Sequence, residues 1–154
     1  MSRSAASPVR VHVLVALSGD VCSTACGEFL SSFGWEIART TDPAMAVRLL
    51  TFRRYDAVIA DLEFEDWQCT RGVDVVRAAR RRGGDAVVVL LTSAGDAAPQ
   101  ALAAGADFVV RKPMPLDVLA DLVLDTSIQR RRATGAGAPP LRPRTARSRQ
   151  SPLT

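Results

Sequence analysis

The chain reads as an α/β protein with a doubly wound, five-stranded parallel sheet. Short β-rich runs alternate with helix-length segments five times, the pattern of parallel strands joined by crossover helices. One run, Ala86 to Leu91, contains only Ala, Val and Leu, as a central strand covered on both faces requires. Glycines stand where helices should stop: Gly34, Gly83-Gly84 and Gly105 each follow a helical segment.

Taken in order, Val11 to Leu17 is a strand, with alternate residues free to face two layers. Cys22 to Phe33 is a helix closed by Gly34. Trp35 to Arg39 is a second, half-polar strand. Asp42-Pro43 starts the next helix, with an acid to cap it and a proline at its first position. Ala46, Leu49, Leu50 and Phe52 give that helix its apolar face. Ala57 to Ala60 is a buried strand leading to Asp61. After a polar loop, Val73 to Arg82 forms a helix. The strand Ala86 to Leu91 follows, then a short helix from Pro99 to Ala104. Phe108 to Val110 is the last strand, and Leu116 to about Arg131 the last helix, with Leu116, Leu119, Leu122 and Val123 on one side.

The 154 residues suit one domain plus a tail. Residues 1–8 are a flexible start, 9–131 the domain, and 132–154 a basic, Arg/Pro-rich segment without period, expected to be disordered. The net charge of +4 divides unevenly. Residues 130–154 hold seven arginines and no acid, whereas residues 1–129 hold 13 basic and 16 acidic side chains. The tail could bind nucleic acid or an acidic protein by charge, or simply aid solubility. No recognition helix pair follows the domain, so sequence-specific DNA reading has no visible machinery. No apolar run is long enough to span a bilayer, and the N-terminus lacks a signal-peptide core, so a cytoplasmic protein with no membrane contact is expected. Three cysteines and one histidine make neither a disulfide framework nor a zinc site, and Cys22 and Cys26 read as small buried residues. With no nucleophile–histidine pair, an enzyme is not expected.

Nineteen of the 20 basic residues are arginine; the one lysine is Lys112, just past the last strand. A lysine offers a compact point charge where arginine offers a planar fork. Open α/β sheets place ligands beyond the carboxyl ends of their strands. There the third strand ends in Asp61, the fourth in Thr92 and the fifth in Lys112. A carboxylate can attack a phosphoryl group, a hydroxyl can donate to its oxygens, and an ammonium offsets its charge.

These residues lie in stretches that resemble the receiver domain of bacterial response regulators, over roughly Val9 to Ser127. The matching stretches are Tyr55-Asp56-Ala57-Val58-Ile59-Ala60-Asp61, Gly72-Val73-Asp74-Val75-Val76-Arg77, Leu90-Leu91-Thr92-Ser93, and Ala103-Ala104-Gly105-Ala106-Asp107 running into Lys112-Pro113. The resemblance implies a flavodoxin-like fold with strand order 2-1-3-4-5. It implies that Asp61 is the phosphoacceptor, Thr92 the switch hydroxyl and Lys112 the phosphate-pairing cation, with a cis bond before Pro113. A sensor histidine kinase or phosphotransfer protein would be the donor. An output protein would be bound through the surface of the fourth helix, fifth strand and fifth helix, in a single-domain phosphorelay regulator.

The resemblance also implies Mg²⁺, held by Asp61, the backbone carbonyl of Glu63 and two acids ending the first strand. Those two positions here are Leu17 and Ser18, which are poor ligands for a hard cation, so the metal site is weakened and the receiver atypical. Asp20 is a nearby acid, although its place suits a helix N-cap. Glu63, Glu65 and Asp66 either supply a ligand or form a solvated charged loop. The aromatic switch position is Val109; Phe108 beside it faces the other way. Two alternatives stand beside the phosphorelay reading. One is an interaction module that is never phosphorylated. The other is a flavin or nucleotide binder using Ser18-Gly19-Asp20 with Ser23-Thr24 as a phosphate loop.

Overall fold

A computed structural model describes residues 11–64, 72–81, 85–93 and 98–133. Five strands and five helices alternate: β1 His12–Ala16, α1 Asp20–Ser31, β2 Glu36–Thr40, α2 Pro43–Phe52, β3 Ala57–Asp61, α3 Gly72–Arg81, β4 Val87–Thr92, α4 Ala98–Ala104, β5 Phe108–Arg111 and α5 Leu116–Ala133. The strands form one parallel sheet in the order β2-β1-β3-β4-β5. This is the expected doubly wound architecture.

The period of two along each central strand sorts the core into two layers. Leu14, Ala16, Val58, Ala60, Val88 and Leu90 pack with Ala46, Leu50, Val75, Val76 and Ala101 on the side of α2, α3 and α4. Val13, Val15, Ala57, Ile59, Val87 and Val89 pack with Cys26, Leu30, Leu119 and Val123 on the side of α1 and α5. Apart from His12, Asp61 and Thr92 at their ends, the central strands are therefore apolar throughout, because they have no solvent face.

Local chemistry sets the helix ends. Asp42 caps α2 by accepting from Ala44 N–H at 2.9 Å, with Pro43 opening the helix. Gly34, at φ +87°, turns the chain out of α1 and donates to the Ser31 carbonyl at 2.9 Å. At the opposite edge from the strand carboxyl ends, Asp56 Oδ2 accepts from His12 N–H at 2.8 Å. The backbone amides of Asp56 and Val87 continue that tie across β1, β3 and β4.

Several expectations are corrected. Gly19, not Asp20, is the N-cap of α1, and Asp20 is the first helical residue. The second strand begins one residue later than expected, because Glu36 pairs with His12 and donates its N–H to the Val11 carbonyl. Trp35 stays outside the ladder, its ring 5.2 Å from that of Phe33. Phe52 is 73% exposed: its position falls off the stripe set by Ala46 and Leu50. Cys22 is exposed, while Cys26 is buried as expected. Arg130 lies in α5, as the expected helix to about Arg131 places it, and is held there by hydrogen bonds. Gly83-Gly84, Glu65, Asp66 and the tail beyond residue 133 lie outside the described residues.

Candidate functional site

The strand ends gather because the register is parallel. Ala16 pairs with Ala60, Asp61 with Leu91, and Thr92 with Arg111. Ser18, Asp61, Thr92 and Lys112 therefore leave the sheet along one edge. Asp61 closes β3, Thr92 closes β4, and Lys112 follows β5 with a cis bond to Pro113.

Asp61 is only 2% exposed, and a buried carboxylate needs donors. Ser18 supplies two, both to Oδ2: its backbone N–H at 2.7 Å and its hydroxyl at 2.8 Å. Lys112 Nζ lies 2.8 Å from Oδ1. Both oxygens of the carboxylate are thus held by the chain itself. The ammonium is reachable from solvent, whereas the carboxylate is set beneath it.

Thr92, also buried, donates its hydroxyl to Glu63 Oε2. The other oxygen of that carboxylate, Oε1, accepts from Ser93 N–H at 3.3 Å. Asp61 and Lys112 are thus paired directly, and Thr92 is engaged by the loop that follows β3. The reading of Glu63 as a freely solvated loop acid is corrected by these two bonds. The sequence underrated Ser18 and Glu63. Ser18 entered as a poor metal ligand and as part of an alternative phosphate loop, yet a serine next to a strand end in a fold with a buried aspartate is an available donor.

The metal expectation can be tested on the donor set. Leu17 is buried in the apolar layer of Val13, Val15, Cys26 and Leu30. Ser18 turns its hydroxyl onto Asp61 as a donor, whereas a cation ligand must present a lone pair. Among the described residues no group of three or more His, Cys, Asp or Glu is placed to hold a metal. These residues do not fit a hard divalent cation. The side chain of Asp20 and the acids Glu65 and Asp66 lie outside the described residues.

The flavin alternative loses its loop. Ser18 is bound to Asp61, and Arg39 from β2 donates to Ser23 Oγ at 3.4 Å and Thr24 Oγ1 at 3.0 Å. Val109 faces the α2–α3–α4 layer and Phe108 the other, so no aromatic ring stands at the expected switch position. Burial pushes the Cys26 thiol up to about 11, with Cys22 adding to the rise. It stays protonated and inert at neutral pH.

Residues 13–124 match the response regulator receiver domain family. The chain belongs to that family. Receiver domains are signalling modules of two-component systems, working with histidine kinases and output domains. No curated protein matches the chain. Among solved structures, it is similar to a receiver domain protein (CheY-like) from Methanospirillum hungatei, at 13% identity and a TM-score of 0.74, covering 81% of this chain and 99% of that one. The receiver domain of Francisella response regulator 1452 matches at 19% identity and a TM-score of 0.68, covering 78% and 98%. The receiver domain of the Pseudomonas aeruginosa sensor histidine kinase PA1611, which holds a magnesium ion in its active site cleft, matches at 22% and 0.66, covering 77% and 98%. These likenesses fix the fold. Among the described residues no helix is long and apolar enough to cross a membrane.

Proposed function

We propose that the protein is an atypical, cytoplasmic response regulator whose phosphoacceptor is Asp61 and which signals by binding another protein. The observation that carries this reading is the 2.8 Å pairing of Lys112 Nζ with Asp61 Oδ1 at the strand ends, beside Thr92. In the step proposed, an Asp61 oxygen forms a bond to phosphorus as the phosphorus–nitrogen bond of a phosphohistidine breaks. The new group brings roughly −1.5 to −2 charges. Lys112 offsets part of that charge, and the Thr92 hydroxyl is the donor next along the sheet edge. β5 is an edge strand, so a change at Lys112 and Thr92 lies next to the face of α4, β5 and α5, where Leu102 stands exposed. That face is the proposed contact for an output protein, with the basic segment beyond the domain as a second contact for an acidic partner or nucleic acid.

Because Leu17 is buried in the apolar layer and Ser18 turns its hydroxyl onto Asp61, phosphate gain is expected to depend weakly on Mg²⁺. The test is a small phosphodonor with and without Mg²⁺, read by intact mass. The wild type is expected to gain one phosphate and Asp61→Asn none. Ser18→Asp should raise the yield in Mg²⁺; a flat yield would disprove the account of the weakened metal site. No gain under any donor would favour a second reading, a phosphorylation-independent interaction module. That reading is supported by the fact that both Asp61 oxygens are already satisfied from within the chain.

A further inference from the structure

The hydroxyl of Thr92 and the amide of Ser93 are consecutive donors at the end of β4, and one carboxylate takes both. That carboxylate belongs to Glu63, only two residues beyond Asp61 and on an otherwise exposed position. A hydroxyl and an adjacent backbone N–H, set one strand over from an ammonium, make a small oxyanion site. In this protein the site is filled by the protein's own anion.

We propose that Glu63 is a built-in competitor for the oxyanion site of Thr92 and Ser93. Its carboxylate holds those donors in the unmodified protein and must leave when a phosphoryl group arrives on Asp61. The proposal rests on the reading of Asp61 as phosphoacceptor and adds a gate to it. The physical reason is charge. A phosphoryl group with roughly −1.5 to −2 charges and a carboxylate cannot share two donors without strong repulsion. The Glu63–Thr92 bond therefore opposes modification, and breaking it couples Asp61 to the position of the Glu63 side chain. A partner that draws Glu63 away, through an arginine or lysine, would make Asp61 more reactive.

The experiment measures the rate of phosphate gain from acetyl phosphate by intact mass, in the full chain. Here the Asp61 oxygen–phosphorus bond forms as the phosphorus–oxygen bond to acetate breaks. Glu63→Ala is expected to gain phosphate about tenfold faster than wild type, and Glu63→Gln, which keeps an acceptor without the charge, to fall between. Adding Thr92→Ala to Glu63→Ala should abolish the acceleration. An equal or slower rate in Glu63→Ala, or an acceleration that survives the loss of Thr92, would overturn the proposal. If neither protein gains phosphate, the Asp61 reading fails and the gate is decided separately, by titrating inorganic phosphate and following the Ser93 amide by NMR. Saturation at about tenfold lower phosphate in Glu63→Ala than in wild type supports an occupied oxyanion site. A Ser93 amide that moves no more readily in the variant rejects it.

Discussion

At the scale of single residues the site is an exercise in satisfying one buried carboxylate. Asp61 has three donors, and Lys112 is the only one with a full charge. Removing that ammonium leaves Asp61 2% exposed and without a counter-ion. Breaking a fully buried pair costs about 3–5 kcal/mol. Lys112 is 37% exposed, so Lys112→Met should cost less, about 2 kcal/mol, in urea unfolding at neutral pH. Asp61→Asn in the Lys112→Met background should recover most of that loss, since the amide no longer needs a cation. The two substitutions should therefore couple by about 1–2 kcal/mol in a double-mutant cycle. Losses that simply add would mean that the 2.8 Å contact contributes no stability.

At the scale of elements, the position of Asp61 depends on how closely α3 approaches the end of β3. Gly72 opens α3, and its N–H donates to the Leu62 carbonyl at 3.2 Å. A Cβ there would collide with the Asp61 carbonyl oxygen and stand 2.6 Å from Leu62 Cα. Both are backbone atoms, so neither can swing aside. Glycine to alanine in a helix ordinarily gains up to about 1 kcal/mol. Here overpacking should reverse the sign, and Gly72→Ala should cost about 1–3 kcal/mol and slow phosphate gain at Asp61. A more stable variant with unchanged reactivity would contradict the close approach. The elements most legible in the sequence were those with no solvent face. β3 and β4 announce themselves by runs such as Val58-Ile59-Ala60 and Val87-Val88-Val89, whose composition already implies two covering layers. β2 is half-polar, and its start depends on which partner residue Glu36 meets, a tertiary fact. Asp20 looked like a cap because caps are read by residue type, whereas the backbone assigns the cap to Gly19. The Glu63–Thr92 bond joins residues 29 apart in the chain. Its two partners are visible in the sequence, but their contact is a tertiary fact set by the pairing of β3 with β4.

At the scale of the whole molecule, charge has two jobs that composition cannot separate. The sequence places seven arginines in residues 130–154, and the first of them, in the last helix, is a structural part of the domain. Arg130 Nη1 donates to the Asp85 carbonyl at 2.9 Å and the Ala86 carbonyl at 2.8 Å, while Nη2 meets Asp107 Oδ1. Arg80, from α3, takes the other oxygen of Asp107 at 2.9 Å and also reaches the carbonyls of Ala86 and Gly105. One carboxylate and two guanidinium forks thus tie α3, the entry to β4, the entry to β5 and the last turns of α5 at the edge opposite the Asp61 site. Ile128 is the last buried apolar residue of α5 among those described. Arg130→Gln should therefore lower stability by about 1–2 kcal/mol, since it removes bonds to two carbonyls and one carboxylate that are partly buried. The loss should persist in 0.5 M salt, unlike that of an exposed ion pair, because bonds to neutral carbonyls are not screened. Amide hydrogen exchange should show the change in the last turns of α5 and at Val87 to Val89, and leave the Asp61 edge protected. Equal loss of protection at both edges would mean that the clamp acts by general destabilisation, and loss in neither would mean that Arg130 is only a surface charge.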